Sequence, residues 1–108
     1  MRCHIPGMVS AAAVVGVVVA CSRAAPRTHA VAMRNVAFDP PSLTVAAGDT
    51  VVWTNADFLP HTATARDAAW DSKSIEANGV WRLVAATPGT HEYYCVFHPN
   101  MKGTIVVR

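Results

Sequence analysis

Apolar and polar residues alternate in short runs along most of this chain, and the runs stop at Gly, Pro, Asn and Asp. Residues 50–55, Thr-Val-Val-Trp-Thr-Asn, are rich in β-branched and aromatic side chains and give the strongest strand signal. A period of two puts Val51 and Trp53 on one face and Val52 and Thr54 on the other. Weaker versions of the pattern predict strands over residues 31–38, 42–45, 61–65, 80–84, 91–95 and 103–107. Turn signals separate them at Asp39-Pro40-Pro41, Ala47-Gly48-Asp49, Asn78-Gly79 and Thr87-Pro88-Gly89-Thr90. Residues 68–77 follow neither period and read as a loop with one helical turn. Short strands between close turns predict an all-β sandwich or barrel. Trp53, Trp81, Tyr93, Phe38 and the valines supply its interior, with Met33 counted as core.

The first residues break this pattern. Arg2 is followed by a run of apolar or small residues over 8–20. A spanning helix needs about 20 apolar residues, so a run this short suits the core of a signal peptide over residues 1–20. The run ends in Val18-Val19-Ala20-Cys21, which resembles the lipobox of bacterial lipoproteins. That resemblance implies that Cys21 carries lipid. Ordinary secretion, with cleavage near Ala24-Ala25, is the competing reading. Residues 21–28 then hold the lipidated cysteine and a short linker, and residues 29–108 form one folded domain.

Charge excludes several classes of partner. Without Arg2, eight Lys/Arg face seven Asp/Glu, a balance of +1. That is no footprint for nucleic acid, and no basic run points to lipid head groups. Membrane attachment would come from the lipid.

The cysteines sharpen the picture. Cys3 leaves with the signal peptide and Cys21 takes the lipid, so Cys95 stands alone in an oxidising compartment, where pairs are the norm. An inert buried thiol is the ordinary fate of a lone cysteine. Here the thiol sits in Cys95-Val96-Phe97-His98-Pro99-Asn100-Met101, and a second histidine follows Pro60 at His61. Cys95, His61, His98 and Met101 are the donors of a mononuclear blue-copper centre: a His2Cys plane with a weak axial Met. Zinc would accept the thiolate and the imidazoles, but a thioether selects copper.

Residues 31–108 are similar to the cupredoxins, and most like the amicyanin branch of the plastocyanin-like proteins. The stretches that carry the likeness are Gly48-Asp49-Thr50-Val51-Val52-Trp53-Thr54-Asn55, Pro60-His61, Pro88-Gly89-Thr90-His91-Glu92-Tyr93-Tyr94-Cys95 and His98-Pro99-Asn100-Met101-Lys102-Gly103. The resemblance implies a Greek-key β-sandwich of about 7–8 strands that binds one type 1 copper and cycles between Cu(II) and Cu(I). It also implies an Asn after the first His ligand; this chain has Thr62, whose hydroxyl and N–H are expected to serve instead. Asn55 is expected to support the site from the strand behind it. An apolar face of Phe58, Leu59, Pro60, Phe97 and Pro99 around His98 would meet transient redox partners. Tyr94 is either a second exit for the electron or a plain surface aromatic. His91 stands where the family shows an aromatic and reads as packing, and His29 reads as solvated.

The leading expectation is a monomeric single-electron carrier, held outside a bacterial membrane, in the periplasm or at the cell surface. The alternative is copper handling, in which a chaperone or scavenger passes the ion to another protein. Catalysis is not expected, because the two remaining domain histidines, His29 and His91, cannot build the extra copper sites of the copper enzymes.

Overall fold

The structure is a computed structural model and describes residues 24–108. The segment expected to be a signal peptide, residues 1–20, and Cys21, expected to carry lipid, lie outside the described residues. Eight strands follow in order: β1 Thr28–Met33, β2 Phe38–Asp39, β3 Ser42–Val45, β4 Thr50–Asn55, β5 Thr64–Ala65, β6 Val80–Val84, β7 Gly89–Tyr94 and β8 Lys102–Val107. They form two four-stranded sheets, ordered β2-β1-β4-β6 and β3-β8-β7-β5. β1 pairs parallel with β4, and β3 pairs parallel with β8. The other pairings are antiparallel. The sheets face each other as a sandwich, the solution that lets each one bury its apolar face.

β4 has the predicted polarity: Val51 and Trp53 are fully buried, and Thr54 is exposed. Trp53 is the centre of an aromatic cluster. Its ring lies 5.4 Å from Trp81, 5.5 Å from Tyr93 and 6.4 Å from Trp70, while Phe38 packs on Tyr93 at 4.5 Å. Met33 belongs to the same core. Trp81 is only half-buried, and the second buried tryptophan is Trp70, from the segment read as a loop with one helical turn.

Four expectations change. The strand predicted over 31–38 is two strands, because residues 34–37 form a hairpin turn closed by Arg34 N–H to Ala37 O at 2.9 Å and Ala37 N–H to Arg34 O at 3.1 Å. Asn35 and Val36 carry it at φ 54° and 55°. No Gly or Pro marks this turn, and the apolar residues on both sides disguise it. The strand predicted over 61–65 shrinks to Thr64–Ala65, and His61 makes only an isolated bridge to Ile75. Residues 68–77 form no helical turn; Trp70 and Ile75 are pulled into the core and the backbone follows them. The turn predicted at 87–90 ends earlier, since Gly89, at φ 130°, already pairs with Val107 as the first residue of β7.

His29 is not simply solvated. It is half-buried, and its Nε2 lies 2.9 Å from Asp49 Oδ2. The Asp49 carboxylate also accepts the N–H groups of Arg27 and Ala46, clamping the start of β1 to the turn before β4. Those amides, led by Arg27 and joined by His29, pull its carboxyl down to about 2.

Candidate metal centre

β7 ends at Tyr94 and β8 begins at Lys102. The seven residues between them must reverse the chain, and they do so as two tight turns. His98 N–H donates to Cys95 O at 3.2 Å, and Met101 N–H donates to His98 O at 2.8 Å. Cys95 N–H donates to Met101 O at 3.0 Å and closes the loop at its base. Three of the four predicted donors are therefore carried by one hydrogen-bonded unit.

His61 arrives from another segment. His61 N–H donates to Ile75 O at 3.1 Å, and Ile75 N–H returns to His61 O at 2.7 Å. This clasp holds His61 fully buried beside the loop. Its Nδ1 lies 3.8 Å from Cys95 Sγ, and His98 Nδ1 lies 3.6 Å from the same sulfur. The donor atoms of His61, Cys95 and His98 all fall within 4.8 Å of one another. The two imidazole rings meet edge-on at 5.0 Å. Donors bound at roughly 2.0–2.3 Å around one ion in a plane stand roughly 3.5–4 Å apart, so the spacing fits a single metal. Met101 is buried in the same core cluster as Cys95.

Supporting groups surround the sulfur and the His61 ring. Thr62 N–H points at Cys95 Sγ from 3.3 Å, and Thr62 Oγ1 accepts the N–H of Val96 at 2.9 Å. The hydroxyl thereby ties the His61 segment to the residue after Cys95. Asn55 donates from Nδ2 to Leu59 O at 2.8 Å and to Ile75 O at 2.9 Å. It therefore shapes the loop that leads to His61 and the segment that clasps it.

Sequence reasoning missed Asp57. Its Oδ2 lies 2.8 Å from His61 Nε2. With the ring proton on Nε2, that contact is a hydrogen bond to the carboxylate and the Nδ1 lone pair faces the sulfur. Burial alone would raise the Asp57 carboxyl, but the amides of Val36 and Asn35 and the His61 ring outweigh it and hold it below its ordinary value. The available signal was an acid four residues before a ligand, which is too common to single out.

The surface around the loop is apolar. Phe58 is fully exposed, and Leu59, Phe97 and Val96 are about half exposed. Pro99 is exposed, Pro60 is half-buried, and His98 is half-buried among residues of this face. Tyr94 is half-buried, and the Arg66 guanidinium caps its ring at 4.4 Å from the centroid. His91 is buried at the far end of β7, with Nδ1 2.6 Å from Asp67 Oδ2 and Nε2 2.8 Å from Thr87 O. It is a structural clamp outside the cluster.

Comparison with known proteins agrees with this geometry. The family model described as a cupredoxin-like domain matches residues 7–107. Amicyanin-alpha of Methylorubrum extorquens is 31% identical over 103 residues, covering 91% of this chain and 87% of that protein. Amicyanin of Paracoccus denitrificans is 32% identical over 75 residues, covering 65% of this chain and 57% of that protein. A solved structure of an amicyanin point mutant in its Cu(I) form superposes with a TM-score of 0.71 at 29% identity, covering 79% of this chain and 86% of that one. With its two-sheet sandwich and its His-Cys-His cluster, the chain belongs to the cupredoxin-like family, and amicyanins are among its relatives.

Proposed function

We propose that this protein is a single-electron carrier in which His61, Cys95, His98 and Met101 would hold one copper ion. The observation that carries the reading is the convergence of two imidazoles and one thiol, from segments 34 residues apart, on one point. The donor set is soft enough for Cu(I) and has the imidazoles that suit Cu(II). Bound copper would supply the one-electron couple.

The chain's own residues do the rest. Two turns and the Cys95–Met101 hydrogen bond fix the loop. Asp57 and Ile75 fix His61, and the Thr62 N–H stabilises negative charge on the sulfur. Donors held this way move little when the charge of the ion changes, and small reorganisation is what an electron carrier requires. Burial of Cys95 and His61 excludes water from the centre. His98 is the donor closest to solvent, and the apolar face of Phe58, Pro60, Phe97 and Pro99 suits brief contact with a redox partner. Tyr94, under Arg66, lies on a separate route beside Cys95.

The apolar run before Val18-Val19-Ala20-Cys21 supports export, with lipid on Cys21 holding a monomeric domain at the outside of a bacterial membrane.

The test is the visible absorption spectrum of the soluble domain after one equivalent of Cu(II), repeated with Cys95→Ser. An intense blue band that the substitution abolishes and ascorbate bleaches reversibly is the expected result. A colourless protein would overturn the reading. Ready loss of Cu(I) to a chelator would move the function to copper handling.

A further inference from the structure

We propose that Asp57 is a positioning residue that makes the reduction potential of the centre depend on the shape of the hairpin tip at residues 34–37. The proposal rests on the copper reading above.

One carboxylate serves both places. Asp57 Oδ1 accepts the N–H of Asn35 at 2.7 Å. Asp57 Oδ2 accepts the N–H of Val36 at 2.9 Å and faces His61 Nε2 at 2.8 Å. Its own N–H donates to Asn55 Oδ1 at 2.9 Å, so the residue is tied to the rigid end of β4. The tip is strained. Asn tolerates the left-handed region, but a β-branched residue at φ 55° is an outlier that persists only when its surroundings enforce it. Here two successive amides converge on an anion, which is the enforcing contact. The tip itself is at the surface, with Val36 40% exposed.

The shared oxygen couples the tip to the His61 ring. Val36 N–H and His61 N–H draw on the same Oδ2. Withdrawing the Val36 amide leaves that oxygen with one partner and strengthens its hold on His61. A ring that donates more strongly to a carboxylate is a more basic ligand and favours the more highly charged Cu(II). The potential then falls. Removing the negative charge has the opposite effect, and the potential rises. A residue that merely braced the loop would not produce shifts of opposite sign.

The experiment is voltammetry and absorption of the copper-loaded wild type beside Asp57→Asn, Val36→Pro and Val36→Gly. Asp57→Asn is expected to weaken Cu(II) relative to Cu(I) about tenfold, an upward shift of about 59 mV for one electron. Val36→Pro, which lacks the amide, is expected to shift the potential downward. Val36→Gly keeps the amide and is expected to match the wild type. Shifts of the same sign for Asp57→Asn and Val36→Pro, or a Val36→Gly shift as large as that of Val36→Pro, would overturn the proposal. A second measurement needs no variant. Linkage requires the redox state to act back on the tip, so hydrogen exchange of the Val36 amide is expected to be severalfold faster in the Cu(II) protein than in the Cu(I) protein. Equal exchange would overturn the proposal. A wild type that stays colourless overturns the copper reading; a blue, reversible wild type with unmoved variants overturns this inference alone.

Discussion

The N–H of Thr62 points at the sulfur of Cys95 from 3.3 Å, while the hydroxyl of the same threonine holds Val96, the residue after that cysteine, at 2.9 Å. One residue beside His61 thus touches both the Cys95 sulfur and the backbone of the loop that carries His98 and Met101. Thr62→Val keeps the shape and the N–H but loses the acceptor. The metal-free protein is expected to lose about 1 kcal/mol, the ordinary worth of one partly buried hydrogen bond. Thr62→Ser is expected to stay within about 0.5 kcal/mol of the wild type. Denaturant midpoints of the three proteins check this, and equal midpoints for the wild type and Thr62→Val would show that the tether contributes nothing.

Gly103 has a tertiary requirement. A Cβ there would collide with the Tyr93 ring, and that ring is buried against Phe38 and Trp53. Gly103→Ala is expected to cost about 1–3 kcal/mol through overpacking. For a domain of this size that lowers Tm by roughly 4–8 °C per kcal/mol. A thermal melt within a degree of the wild type would show that β8 can shift without cost.

His91 should make stability depend on pH. Both ring nitrogens face acceptors, Thr87 O and the Asp67 carboxylate, so the ring makes both bonds only when doubly protonated. The Thr87 carbonyl, and then Asp67, raise its pKa above 6.5 against the opposing effect of burial. A raised folded value means that the stabilisation is complete below about 6.5 and is lost as pH rises through the folded pKa. The other ring packed on it, Trp70, does not titrate. The stability difference between the wild type and His91→Gln is therefore expected to shrink as pH rises above neutrality. Urea titrations at a series of pH values read this directly, and a constant difference would refute it.

Asp49 gives the acid limb. Its carboxyl is drawn from 3.8 down to about 2, chiefly by the Arg27 amide. A depressed folded value contributes stability that is present above 3.8 and is lost as pH falls toward 2. Asp49→Asn is expected to be less stable at neutral pH and to converge on the wild type in acid. Parallel pH profiles would count against the clamp.

The exposed aromatics should matter for exchange rather than for folding. Phe97→Ser is expected to leave stability within about 0.5 kcal/mol, because the side chain is 52% exposed. Electron self-exchange between two copies, which brings apolar faces together, is expected to slow severalfold. Unchanged self-exchange would move the contact face elsewhere.

Alternation in residues 50–55 determined β4 and its buried face, because a strand that buries one side needs little more than a period of two. Cys-x2-His-x2-Met likewise pointed to the side of the cluster that Cys95 and His98 form, since a short loop can bring its own residues together whatever surrounds it. Local pattern could not reveal the hairpin at 34–37: its left-handed Asn35 and Val36 are enforced by Asp57, about twenty residues away. Nor could it assign the short β5, since His61 and Ala63 bond to Ile75 and Ser72 rather than to a sheet. The pairing of His61 with Asp57, the choice of Trp70 over Trp81 for the core, and the clamp on His91 were decided by tertiary contact alone. Each depends on a partner distant in sequence or on a loop closure, and such contacts form only when the sandwich brings its ends together.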